Sequence, residues 1–94
     1  MFSGGTYDEV ARWVWNFLTS HAKRENVQAE VDLDAGAERE GKSYSARVRL
    51  GDKLSAPLEL DFADVARHRG SLDWCARLAA RVREVVRGLK SAAA

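Results

Sequence analysis

The chain has 94 residues, with 15 Lys and Arg against 14 Asp and Glu, a net charge of +1, one Cys and one Pro. A chain of this length is one domain, able to bury roughly 60–65% of its unfolded surface without metals or disulfides. Its near-neutral charge excludes an overall field that would draw in nucleic acid or an anionic membrane, and the lone Cys75 excludes an intramolecular disulfide.

Residues 1–5, Met1-Phe2-Ser3-Gly4-Gly5, read as a flexible arm with neither the basic start nor the apolar stretch of a signal peptide. No apolar run approaches the roughly 20 residues of a spanning helix, so no membrane association is expected, and the lone Cys75 fits a reducing cytoplasm. Thr6 followed by Glu9 is a capping box, in which each side chain satisfies a free backbone N–H. From Tyr7 to about Arg24, Tyr7, Val10, Ala11, Val14, Phe17, Leu18, His21 and Ala22 share one helical face. Trp13 and Trp15 flank that stripe, where an indole covers the core edge and keeps its N–H near water.

The period then changes to two. Val27, Ala29, Val31 and Leu33 alternate with polar residues, then Tyr44, Ala46, Val48 and Leu50, then Leu54, Ala56, Leu58, Leu60 and Phe62. Three strands with one buried face predict an antiparallel meander. Parity places Leu33 opposite Tyr44 and Glu30 opposite Arg47, with an eight-residue loop from Ala35 to Lys42. Leu50 opposite Leu54 needs the three-residue turn Gly51-Asp52-Lys53; a two-residue turn would carry Lys53 to the apolar face, unless a bulge near Pro57 restores the phase. Pro57 suits an edge strand.

Ala63 to Arg69 reads as a short extra helix ended by Gly70, after which Ser71 caps the last helix. There Leu72, Cys75, Leu78, Ala79, Val82, Val85, Val86 and Leu89 share a face to about Lys90, Gly88 marks fraying, and residues 91–94 read as a disordered tail. Residues 6–90 therefore form a single α+β domain, a two-layer sandwich of order αβββα with both helices on one sheet face.

The open sheet face is patterned: Glu30, Asp32 and Asp34, then Arg47 and Arg49, then Glu59 and Asp61, which predicts cross-strand ion pairs around a basic central strand. From Arg67 to Lys90 there are seven cations and two acids, whereas from Glu25 to Glu40 there are six acids and one cation. Arg67, Arg69, Arg77, Arg81, Arg83 and Arg87 are thus the candidate nucleic-acid contacts, although cations scattered around a polar arc also describe a solvated helix. Arg outnumbers Lys 11 to 4, which either serves bidentate recognition or reflects a coding bias toward Arg and Ala.

The helix, three-strand, helix order resembles that of double-stranded-RNA-binding domains, whose last helix grips phosphates at its start. The likeness covers most of the chain and is topological. Where that family carries a Lys-rich cluster, this chain has Gly70-Ser71-Leu72-Asp73-Trp74, preceded by Arg67, His68 and Arg69, and Asp73 repels a phosphate there.

Catalytic and metal chemistry find little support. Cys75 on the apolar stripe is expected to be buried and inert, His21 to be an interface histidine, and His68 to pair with Asp64 four residues before it. Glu30, Asp32 and Asp34 fail as a calcium loop, with Ala35 where Gly is needed and Gly41 where the bidentate acid belongs. One Cys and two His make no ordinary structural zinc site. The expectation is a non-catalytic protein without cofactor or metal that binds another protein or itself, with Trp13, Trp15 and Trp74 as candidate partner contacts. The alternative is a nucleic-acid-binding domain.

Overall fold

The computed structural model describes residues 6–91; the arm and the last three residues of the tail lie outside the described residues. Helix α1 (Tyr7–Glu25) is followed by β1 (Glu30–Asp34), a 3-10 turn (Ala37–Arg39), β2 (Ser43–Leu50), β3 (Lys53–Leu54), β4 (Leu58–Asp61), α2 (Phe62–His68) and α3 (Leu72–Ser91). The sheet is antiparallel and open, with β2 between β1 on one side and β3 and β4 on the other. This is a small α+β fold.

The helix starts follow their caps. Thr6 Oγ1 accepts the Glu9 N–H at 3.2 Å, but its hydroxyl donates to the Glu9 carboxylate, so the reciprocal half of the expected box is not formed. Asp61 accepts the Asp64 N–H at 3.0 Å to open α2, and Ser71 Oγ accepts the Trp74 N–H at 3.3 Å to open α3. Gly88 does not end α3, which runs on to Ser91.

Both long helices pack on the inner sheet face, α1 over β1 and α3 over β2, and against each other. Trp13 lies beside Trp74, and Glu25 beside Arg83 and Arg87, so the two helices run parallel. Val10, Val14, Leu18 and Ala22 of α1, Leu78, Val82 and Val86 of α3, and Tyr44, Ala46 and Val48 of β2 form one core. Tyr44 is wholly buried: its ring stacks on Tyr7 at 4.6 Å and its hydroxyl donates to the Tyr7 carbonyl at 2.7 Å. Burial pushes the ionisation of both tyrosines upward, so they act as hydrogen-bonding rings.

Several expectations need correction. The β1–β2 register is two residues from the parity choice: Leu33 faces Ala46, and Glu30 faces Arg49. A shift of two keeps every side chain on its face, so parity alone does not separate the two registers. Residues Val27 and Leu72 are 77% and 87% exposed rather than buried, because β1 starts at Glu30 and Leu72 opens α3 on its outer side. Cys75 is half-buried, its Sγ 3.4 Å from the Arg69 carbonyl.

The third strand is split. Leu50 pairs with Lys53 across the two-residue turn Gly51-Asp52, and Gly51 has φ +66°, the pattern of a type II′ turn. Leu54 then faces Arg49 on the wet side and is exposed, as is Ala56. An extra residue between Leu54 and Leu58 restores the phase, so Leu58 meets Ala46 and Leu60 meets Tyr44 on the core side. Where the backbone leaves the ladder, the Ser55 N–H donates to the Val48 carbonyl and the Ser55 hydroxyl accepts the Val48 N–H, both at 2.9 Å.

The ion pairs of the open face also differ in detail. Arg49 reaches Asp32 at 2.7 Å and Glu30 at 3.3 Å, while Arg47 makes no ion pair among the described residues. Arg39 folds back from the 3-10 turn to Glu59 at 2.9 Å, Asp34 at 3.2 Å and the Ser43 hydroxyl at 3.2 Å. That arginine, in a loop with no strand periodicity, supplies the cation that joins β1 to β4.

Candidate interaction surface

The i, i+4, i+8 spacing of Trp13, Phe17 and His21 sets them in file on the flank of α1 that faces α3. Trp13 stacks on Phe17 at 5.0 Å, and Phe17 lies 4.5 Å from His21. Across the helix seam Trp13 comes within 6.4 Å of Trp74, which also stacks on His68 at 6.2 Å. His21, Phe17, Trp13, Trp74 and His68 are each half-buried, so the row keeps one side in water. The His21 imidazole is held below its ordinary pKa by burial, then by Arg24 and Arg83, and packs as a neutral ring on Phe17.

Of the three tryptophans, Trp13 and Trp74 meet and Trp15 stands apart. Trp15 projects from the opposite flank of α1, is 43% exposed, and donates its indole N–H to the Val31 carbonyl at 2.9 Å. Sequence reading did not place Phe17, His21 or His68 in an open row. The spacing of Phe17 and His21 after Trp13 was the available signal, but the same spacing also describes a core face.

The six candidate arginines fall in separate places. Arg83 and Arg87 both reach Glu25 at the end of α1, at 3.2 and 3.1 Å. Arg77 and Arg81 face the other way, into a cleft of about 200 Å³ that also holds Glu59, Asp61, Asp64 and Trp74. Arg67 is exposed on α2, and Arg69 is half-buried where α2 ends. These side chains do not form one basic stripe.

The Arg87 guanidinium, then that of Arg83, holds the Glu25 carboxyl below the usual glutamate range. A depressed acid stabilises the fold fully above its unfolded value, about 4.3, and that contribution fades as the pH falls through the lowered folded value. Glu25→Gln is therefore expected to lower the urea midpoint at neutral pH, with the difference from the parent closing as the pH drops below about 4. A difference that is constant across the titration would show that the pair contributes nothing through charge.

His68 Nδ1 lies 3.0 Å from an Asp64 carboxylate oxygen, the expected local pair. Among the described residues no group of three or more His, Cys, Asp or Glu is placed to hold a metal ion, and no helix is long and apolar enough to cross a membrane. Comparison with known protein families, curated proteins and solved structures finds no match. The likeness to double-stranded-RNA-binding domains accordingly rests on element order.

Proposed function

We propose that this protein is a non-catalytic cytoplasmic module that binds a protein partner, a second copy of itself included, through the row formed by Trp13, Phe17 and Trp74. The observation that carries this reading is the contact of Trp13 with Trp74 across the helix seam, half open to water. Indole and phenyl rings bury much area with few rotamers to immobilise, and a contiguous row of half-buried aromatics on a small domain suits recognition. The lone Cys75, half-buried, suits a reducing compartment.

Sedimentation across a concentration series is the first test. We expect a rising mass accompanied by a shift in Trp emission, both lost in Trp74→Ser and retained in Trp15→Ser, with far-UV circular dichroism confirming that each variant is folded. An association unaffected by Trp74→Ser removes the aromatic row from the interface. The second reading, nucleic-acid binding, draws on Arg67, Arg77 and Arg81, which make no ion pair among the described residues. Duplex RNA or DNA added to the same series, with a salt-dependent complex lost in Arg77→Glu/Arg81→Glu, would favour it.

A further inference from the structure

The free edge of β1 has unused bonding capacity of a specific shape. Trp15 takes the Val31 carbonyl from the side away from β2. In an antiparallel strand the N–H and C=O of one residue point the same way, and alternate residues repeat that direction. The Val31 N–H and both polar groups of Leu33 therefore face outward, and none has a partner among the described residues. Groups in that arrangement match an extended backbone, as a helix or a small ligand does not.

The surroundings define the side chains of such a strand. Along this edge a trough of about 340 Å³ is lined by Trp15, Thr19 and Lys23 of α1 on one side and by Val31, Glu30, Asp32 and Arg49 of the sheet on the other. The Thr19 hydroxyl on the α1 wall is buried and has no hydrogen-bond partner among the described residues. On the open side, Glu30, Asp32 and Asp34 keep 60%, 52% and 63% of their side-chain surface in water despite sharing Arg49 and Arg39. From Glu30 to Glu40 the chain has five acids and one cation. An incoming strand thus places alternate residues against Trp15 and against carboxylates.

We propose that the β1 edge accepts, as an added strand, an extended segment of another protein in which apolar and basic residues alternate. The internal precedent is β2, which meets β1 on its other side with Val48 on the core face and Arg49 on the acidic face. A second copy of β1 is a poor occupant, because antiparallel pairing sets acid against acid. The β3–β4 edge is a poor acceptor, being interrupted after Leu54 and carrying Pro57, which has no N–H. This surface is separate from the aromatic row and does not depend on it.

The test uses an end-blocked peptide of alternating Val and Lys as the probe, with an alternating Val and Glu peptide and a Val–Lys peptide N-methylated along one edge as controls. Amide hydrogen exchange followed by NMR on the whole chain is expected to slow by roughly tenfold or more at Val31 and Leu33 with the Val–Lys peptide. N-methylation or exchange of Lys for Glu is expected to abolish that protection. Asp32→Lys/Asp34→Lys should reverse the preference between peptides, and the milder Asp32→Asn should weaken Val–Lys binding if the double variant does not fold. Protection at Glu59 and Asp61 instead, an affinity indifferent to N-methylation, or no protection at millimolar peptide each overturns the proposal. Trp74→Ser leaves this readout unchanged, so failure here is distinguishable from failure of the aromatic-row reading.

Discussion

Tyr44→Ala is expected to destabilise the fold by about 3–5 kcal/mol, the range for deleting a large aromatic ring from a core. The ring is fully buried, stacked on Tyr7 and set edge-on to Phe62 at 6.2 Å, so its removal opens a cavity shared by β2, α1 and α2. A domain of this size has a total stability of roughly 5–15 kcal/mol, so the loss is a large part of the whole. With a urea slope of about 1 kcal/mol/M, the midpoint should fall by about 3–5 M at unchanged slope. Tyr44→Phe separates the ring from its hydroxyl: it keeps the stack and loses the bond to the Tyr7 carbonyl, for about 1 kcal/mol. Equal losses in the two variants would mean that the hydrogen bond, rather than the ring, holds α1 to β2.

Ser55→Ala has the second large effect, about 1–3 kcal/mol, because it strands a buried donor. Val48 has no exposed surface, and its N–H points to the place where β3 has left the ladder; the Ser55 hydroxyl stands in for the missing carbonyl and passes its own proton to the Ala56 carbonyl at 2.9 Å. Ser55→Thr retains the hydroxyl and should keep most of the parent stability. The amide exchange of Val48 reads the same bond directly and should accelerate in Ser55→Ala but not in Ser55→Thr. If Ser55→Ala unfolds at the parent's urea midpoint, the hydroxyl is not the acceptor that closes the bulge.

This bulge also shows how far the sequence reaches. Parity exposed a conflict in the third strand: a short turn puts Lys53 on the side of Leu50, and something near Pro57 must then restore Leu58 to the core. The conflict is visible because alternation is a property of consecutive residues. Its resolution is not, since choosing a two-residue turn with a bulge over a longer turn depends on how Ser55 meets Val48. The β1–β2 register failed for a related reason. Pairings two residues apart are equivalent in alternation, and the observed one lets Arg49 bridge Glu30 and Asp32 on β1 while Arg39 folds back from the loop onto Asp34.

The candidate surface was legible as a list of residues and not as an arrangement. Trp13 and Trp15 were placed correctly on the two flanks of α1, because 100° per residue is enough for that. What each flank faces follows from the packing: α3 lies on one side and the free edge of β1 on the other. Likewise the charge count of α3 was readable, but the parallel run of the helices brings Glu25 onto Arg83 and Arg87 and removes both from any single basic stripe.

By itself the sequence determined the helices, the strand-forming segments and their order, the apolar faces of α1 and β2, and the α+β class, since each of these depends on local periodicity, caps and turn residues. The tertiary structure alone decided the strand register, the split of the third strand, the exposure of Val27, Leu72 and Cys75, and the meeting of Trp13 with Trp74. Those outcomes depend on the relative placement of segments far apart in the chain, where many arrangements satisfy the same local pattern and the choice falls to side-chain packing and hydrogen bonding between them.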